Sequence, residues 1–318
     1  MKIGVLGASG FLGSWLCRIL ILEHDITAFI RDNSSTYNLS NIKSLNIIRT
    51  DLNKLIDEIK MNKFDVLIFA DWDGVGNIER NNPKQFENSV RILKLAKSLN
   101  NSSVKMVLAL GSQAELGPVS LPIMETQMDS PTTLYGEAKL QVRSQLASLL
   151  NDKGIRFCWM RIFSTYGPLD IGDWLIPNIV ESISSNQTVQ LTKGEQEWSY
   201  LHAYDLANAF KTVVESGSIS GIINVGNPNT VKIKQVAEIT ANIFGKKNLL
   251  DFGSLPYRSD QVMRLEPVCE SLAKLGWRPK VSISHGVSNT VNWLKKGKEI
   301  PLMLDDGSEI FFNLPIRK

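Results

Sequence analysis

Tyr135 and Lys139 stand four residues apart in the run Pro-Thr-Thr-Leu-Tyr-Gly-Glu-Ala-Lys, 131–139. On a helix that spacing puts both side chains on one face, one turn apart. An ammonium held beside a phenol favours the phenolate, so Lys139 is expected to lower the Tyr135 pKa. Tyr135 can then give or take a proton near neutral pH. The pair recurs by chance in any chain, and its weight comes from Ser112, which ends an apolar stretch upstream. A hydroxyl there can hydrogen-bond a carbonyl oxygen that Tyr135 protonates, and together the three would stabilise a developing alkoxide.

Something must bring these side chains to one place, and the N-terminus shows what. Gly7-Ala8-Ser9-Gly10-Phe11-Leu12-Gly13 lies between a first apolar strand and a first amphipathic helix. The first glycine permits the tight turn, the second lets the backbone approach a pyrophosphate, and the third allows close helix–strand packing. Where NAD-preferring proteins end the second strand with an acidic residue for the ribose diol, this chain has Ile30-Arg31-Asp32. An arginine pairs with a 2′-phosphate through charge-assisted, bidentate bonds, so NADP (NADPH) is favoured, with NAD kept open by Asp32. Asp51-Leu52, after a third strand, either edges the adenine or supplies Asp51 as a helix cap.

Short apolar strands alternate with helical stretches through the first half, which predicts βαβ units and a doubly wound, Rossmann-type α/β parallel sheet. Strands are expected at Lys2–Leu6, Ile26–Ile30, Asn46–Ile48, Val66–Phe69, Val104–Leu110 and Arg156–Arg161. A helix should run from about Leu134 to Leu150, carrying Tyr135 and Lys139 in its first turns. The alternation loosens after Tyr166-Gly167-Pro168. We therefore expect a dinucleotide-binding domain over 1–165, to which 206–230 returns, and a smaller, mixed, interleaved substrate-binding domain over 166–318.

With 318 residues the chain can bury a sizeable core, and 43 % hydrophobic and 21 % charged residues suit a soluble globular protein. A net charge of +3 with no basic run argues against nucleic acid as partner. Cys17, Cys158 and Cys269 are scattered and odd in number, as free thiols of a reducing compartment would be. Three histidines and no Cys or His cluster argue against a metal site. The N-terminus lacks a signal-peptide core, and no apolar run approaches the roughly 20 residues that span a bilayer. A cytoplasmic protein is the expectation.

These motifs, in this order, resemble the extended short-chain dehydrogenase/reductases, the NAD(P)-dependent nucleotide-sugar epimerase/dehydratase group. The likeness runs through the glycine turn, Asp51-Leu52, Tyr135-Gly-Glu-Ala-Lys139, Arg161-Ile-Phe-Ser-Thr-Tyr-Gly-Pro168, Leu201-His-Ala-Tyr-Asp205 and Leu275-Gly-Trp-Arg-Pro279. It implies Ser112, Tyr135 and Lys139 as the catalytic triad. It implies a cofactor set of Gly7, Gly10, Phe11, Leu12, Gly13, Arg31, Asp51, Leu52, Ala70 and Phe163, together with Tyr135 and Lys139. A nucleotide-linked sugar would meet Gln113, Ser164, Asn178, Gln196 and Trp198, although Trp198 serves equally well as lid packing. Trp198 stands where the group usually has an arginine, which makes Arg258, in Pro-Tyr-Arg-Ser-Asp over 256–260, the candidate for that phosphate contact. The 4,6-dehydratases carry an Asp-Glu pair after the catalytic hydroxyl, whereas this chain has Gln113-Ala114, which cannot shuttle a proton. The closest look is to the 4-ketoreductases of deoxysugar biosynthesis, such as CDP-abequose synthase, with a 4-epimerase holding NAD tightly as the alternative. A non-catalytic dinucleotide sensor is the remote one, and Glu115 and His202 are weak candidates for an added acid–base step. The resemblance also implies a homodimer through the helices at 85–99 and 134–150.

Overall fold

Continuous apolar runs, too uniform to leave a face to water, build the centre of the molecule. In the computed structural model, which describes residues 1–76, 78–119, 121–258, 261–296 and 301–316, they form a seven-stranded sheet. Its members are β1 (Lys2–Leu6), β2 (Asp25–Ile30), β3 (Asn46–Arg49), β4 (Val66–Phe69), β5 (Met106–Ser112), β6 (Arg156–Ile162) and, much later, β11 (Gly221–Val225). The order is β11-β6-β5-β4-β1-β2-β3, and every pairing is parallel. The chain winds outward in both directions from β1 and β4. A crevice opens beyond the carboxyl ends of two such strands, where ligands of doubly wound sheets gather.

β5 begins and ends two residues later than its apolar run suggests. Its register with β6 extends to Gly111↔Arg161 and Ser112↔Ile162, so ladder pairing carries the strand past the hydrophobic stretch. Ser112 is thereby the last residue of the strand itself.

Helices cover both faces. On one side α1 (Phe11–Leu20) packs with α6 (Ala203–Ser216), burying Trp15, Leu16, Leu20 and Phe210 against Ile3, Val5 and Ile223. On the other, α2 (Leu52–Asn62), α3 (Gln85–Lys97) and α4 (Leu134–Asn151) bury Leu55, Ile59, Ile92, Ala96, Val142 and Leu146 on Leu67, Val107 and Trp159. The remainder is built from short pairs and small helices. β7 (Ser164–Tyr166) pairs with β10 (Tyr200–His202), β8 (Val189–Leu191) with Leu250–Phe252, and β9 (Glu197–Trp198) with Val231–Lys232. Ile179 and Ile183 of α5 (Leu175–Ser184) meet Ala237 and Ala241 of α7 (Ile233–Asn242) in a core of their own.

Two sequence motifs join these parts. The Asp205 carboxylate accepts the Lys280 and Val281 N–H groups at 2.9 and 3.1 Å, and the Trp277 indole donates to the Asp205 carbonyl at 3.2 Å. Cys17, Cys158 and Cys269 are buried free thiols. Among the described residues, no helix is long and apolar enough to cross a membrane, and no His, Cys, Asp or Glu cluster is arranged to hold a metal.

Candidate active site

The glycine turn does what its spacing asks. Gly7 sits at φ +69°, and a Cβ there would come within 2.7 Å of the Ala70 backbone; one on Gly13 would stand 2.3 Å from the Gly7 carbonyl oxygen. Only hydrogen fits at these two places. α1 opens at Gly10 with no side-chain cap, so the N–H groups at the helix start face outward without a protein acceptor of that kind. Phe11 and Leu12 form its partly buried first turn. The uncapped helix end and the cradle that a Cβ would fill fit the pyrophosphate of a dinucleotide.

Beyond it lies a cleft of about 560 Å³ lined by Gly7, Gly10, Arg31, Asp51, Leu52 and Ala70. Asp51 also caps α2, accepting the Asn53 and Lys54 N–H groups at 2.8 and 3.0 Å. Those backbone donors, Lys54 first, hold its carboxyl below the ordinary range. Both uses proposed for Asp51 are therefore compatible with its position.

Arg31 does reach this cleft, but not as an idle cation. Its guanidinium donates to Asp73 at 2.6 Å; Asp73 also takes Arg91 at 3.4 Å, and Arg91 holds Asp71 at 3.0 Å. Burial pushes the Asp71 carboxyl up, against the pull of Arg91. Arg49 fixes the turn after β2 by donating to the carbonyls of Arg31, Asp32 and Ser34 at 3.2, 2.6 and 3.0 Å. Of these, the sequence pointed to Arg31 and Asp32 and not to Arg49, Asp71, Asp73 or Arg91.

Ser112, Tyr135 and Lys139 converge at the end of β5. α4 starts where it does because Thr133 caps it, its hydroxyl accepting the Gly136 N–H at 3.1 Å, and because Asn81 accepts the Leu134 N–H at 3.3 Å. Gly136 lets the helix close on the turn after Ser112, since a Cβ there would lie 2.3 Å from the Ala114 carbonyl oxygen. The Tyr135 side chain is buried, with the Ser112 hydroxyl within hydrogen-bonding reach of its phenol.

The expected acidification of Tyr135 by Lys139 is corrected by the structure. Lys139 Nζ donates to the Leu110 carbonyl at 2.7 Å and stands 3.8 Å from the centre of the Trp72 ring, against 5.8 Å from that of Tyr135. Burial pushes the lysine down to about 7, opposed by Glu115 and Asp71. Burial likewise pushes the Tyr135 phenol up; the pulls downward come from the Ser112 hydrogen bond and the charge of Arg80. The helical spacing put the two side chains on one face without specifying which acceptor the ammonium would choose.

A buried polar cluster backs Ser112. Glu115, fully enclosed, accepts the Ser112 N–H at 2.7 Å, the Trp159 indole at 2.8 Å and Arg143 at 2.9 Å, while Arg143 and Arg161 both reach Asp129. His202 is equally enclosed: its Nδ1 accepts the Tyr204 N–H at 3.2 Å, and its ring lies edge-on to Trp15 and Tyr166. Both are enclosed in the protein and held by these contacts.

On the substrate side, Gln113 follows Ser112 directly and Ser164 opens β7, both partly exposed. Phe163 is buried with Leu116, Ile123 and Leu265. Gln196 is buried and exchanges side-chain bonds with Thr192, while the Trp198 indole donates to the Val262 carbonyl at 2.9 Å, the packing role weighed for it. Asn178 is exposed on α5. Arg258 is exposed yet near enough to Arg80 for their charges to repel; Ser259 and Asp260 lie outside the described residues.

Residues 3–226 match the NAD dependent epimerase/dehydratase family. The chain is 23 % identical over 315 residues to UDP-glucuronic acid decarboxylase 1 of Xenopus tropicalis, covering 94 % of this chain and 73 % of the relative. It is 26 % identical over 324 residues to UDP-glucose 4-epimerase of Halalkalibacterium halodurans, covering 93 % and 96 %. To CDP-abequose synthase of Salmonella muenchen it is 23 % identical over 138 residues, 43 % of this chain and 47 % of that one. Among solved structures, a UDP-N-acetylglucosamine 4-epimerase from Methanobrevibacter ruminantium M1 superposes with a TM-score of 0.84 at 22 % identity, covering 92 % and 98 %. A glycine cradle, a cleft at the switch point of the sheet and a Ser–Tyr–Lys set thus meet in one chain that, by this match, belongs to the NAD dependent epimerase/dehydratase family.

Proposed function

We propose that the protein reduces the C4 ketone of a nucleotide-linked 4-keto-6-deoxy sugar, with NADPH as the favoured reductant. The observation that carries this reading is the absence of a mobile acid–base pair after Ser112. Gln113 and Ala114 cannot shuttle protons, and the one carboxylate that follows, Glu115, has its oxygens taken by the Ser112 N–H, Trp159 and Arg143. A dehydratase needs such a pair; a carbonyl reduction needs one proton donor, the role we assign to Tyr135.

The bound dinucleotide would supply the hydride that reaches C4 of the sugar. Ser112 donates a hydrogen bond to the carbonyl oxygen and aligns it, while Tyr135 gives its proton to the oxygen as negative charge builds there. In this reading Lys139, which also donates to the Leu110 carbonyl, would hold the ribose hydroxyls, and Arg258 would meet the diphosphate. Arg31 at the end of β2, beside Ser34 and Asn33 in the same cleft, favours a 2′-phosphate and hence a cofactor exchanged at each turnover. The exposed faces of α3 and α4 are the proposed homodimer surface, and the cytoplasm the proposed compartment.

The enzyme runner-up is a nucleotide-sugar 4-epimerase, which the same triad and the relatives at similar identity support. Purified protein incubated with NADPH and the CDP, dTDP or GDP form of the keto sugar should consume reduced nicotinamide in proportion to ketone. No consumption with any of them rejects the proposal. NAD retained through purification, with redox-neutral interconversion of sugars, establishes the epimerase instead.

A further inference from the structure

Arg80 lies on the loop between β4 and α3, outside every motif that the sequence singles out. Its guanidinium carbon stands 5.6 Å from the centre of the Tyr135 ring, and its Nε is buried with no hydrogen-bond partner. Among the described residues no carboxylate pairs with it; Arg18, Arg49 and Arg156 lack one too, but among the described residues Arg80 is the arginine set over an aromatic ring. The loop is fastened at this spot, because Asn81 next door accepts the Leu134 N–H at the start of α4. A guanidinium left without an acid partner and held against one particular phenol needs a reason.

We propose that Arg80 is a positioning residue for proton transfer: the fixed cation over the ring of Tyr135 that favours the phenolate left when the proton departs. This rests on Tyr135 being the proton-exchanging group of the proposed reaction. A positive charge over an aromatic face attracts the ring's electrons, and attracts them more once the ring carries a full negative charge. Lys139 lies at a similar distance from the ring, 5.8 Å, but one of its N–H groups is held by the Leu110 carbonyl. Burial also pushes Lys139 down to about 7, so near neutral pH it carries only part of its charge, whereas a guanidinium keeps its charge throughout. The groups facing Tyr135 are then Ser112 and Arg80, which favour the phenolate, Glu115 from behind Ser112, which opposes it, and the edge-on Trp72 ring at 5.9 Å. Lys139 stands on the same helix, and Arg258 acts on Arg80 itself.

The test follows the phenol and not only turnover. Ultraviolet difference titration of wild type against Tyr135→Phe isolates the Tyr135 phenolate signal, and the same pair is then made in Arg80→Met and Arg80→Lys backgrounds. Arg80→Met should move the Tyr135 titration to higher pH, move the alkaline limb of the reduction profile with it, and cut turnover at neutral pH roughly tenfold. Arg80→Lys should recover part of each change. An unmoved titration in Arg80→Met overturns the proposal, as does lost turnover with an unchanged pH profile, the mark of a merely structural residue. If Arg80→Met fails to fold, Arg80→Gln takes its place with the same expectations. A titration that moves in a protein reducing no ketone leaves the role of Arg80 standing and sinks the proposed reaction instead.

Discussion

Lys139 is the residue whose chemistry changes most between chain and fold. Unfolded, it titrates at its ordinary 10.5; buried, it is pushed down to about 7. Between those values the unfolded chain holds the extra proton, so stability rises with pH across that window, and below about 7 the full cost of burying the ammonium is present. Lys139→Met removes the linkage. Wild type should therefore gain on this variant in urea midpoint as pH climbs from about 7 toward 10, and a gap independent of pH would show the lysine to be ordinary. Arg31 offers a second residue-scale prediction, since its pairing with Asp73 at 2.6 Å competes with any 2′-phosphate. Asp73→Asn should lower KM for NADPH by roughly tenfold through release of that guanidinium. An unchanged KM would mean that Arg31 does not read the cofactor. Sequence spacing located Ser112, Tyr135, Lys139 and Arg31, but it could not say which acceptor each side chain would choose. The Leu110 carbonyl and the Asp73 carboxylate are far away in sequence and adjacent only in the fold.

At the scale of elements, α4 and the turn after β5 are one device. Thr133 caps the helix, Asn81 ties its first N–H, and Gly136 lets it press on Ala114. A methyl at 136 would have to displace a backbone carbonyl 2.3 Å away, and Tyr135 would move with the helix end. Displacing a reacting group by about an ångström costs on the order of a hundredfold in rate. Gly136→Ala should lose about that much turnover while dinucleotide affinity, which depends on the β1–α1 turn, holds. Equal loss of both would place the damage elsewhere. The β1–α1 turn was fully legible because one short segment contains the strand, the glycines and the helix start. Glu115 and its partners Trp159, Arg143 and Arg161 were not: the cluster draws on the turn after β5, on α4 and on β6, and no local pattern marks a residue as the acceptor of a distant indole.

Across the whole molecule, a doubly wound parallel sheet and the return of the chain to it after residue 206 were legible in alternating apolar runs, whereas the strand order was not, because alternation does not say which strands lie side by side. The small paired strands after Tyr166 have two or three residues each, too few for a period to register, and they stayed invisible. The two motifs that bind this part to the sheet act through Asp205. Asp205→Ala would strip the Lys280 and Val281 N–H groups of their acceptor, and a buried donor left unmet costs about 1–3 kcal/mol. We expect a loss of about 3 kcal/mol in unfolding free energy, read from denaturant titration. A loss within error of zero would show that water replaces the carboxylate.

The central claim is that Tyr135, aligned by Ser112, protonates a sugar ketone while carbon takes a hydride, and isotope transfer tests it most directly. NADPH deuterated at the transferring position, incubated with the enzyme and a nucleotide-linked 4-keto-6-deoxy sugar, should leave one deuterium on C4 of the product by mass spectrometry. Tyr135→Phe should bind the dinucleotide as wild type does and transfer at least a hundredfold more slowly. Product free of deuterium at C4, or undiminished transfer by Tyr135→Phe, would contradict the account.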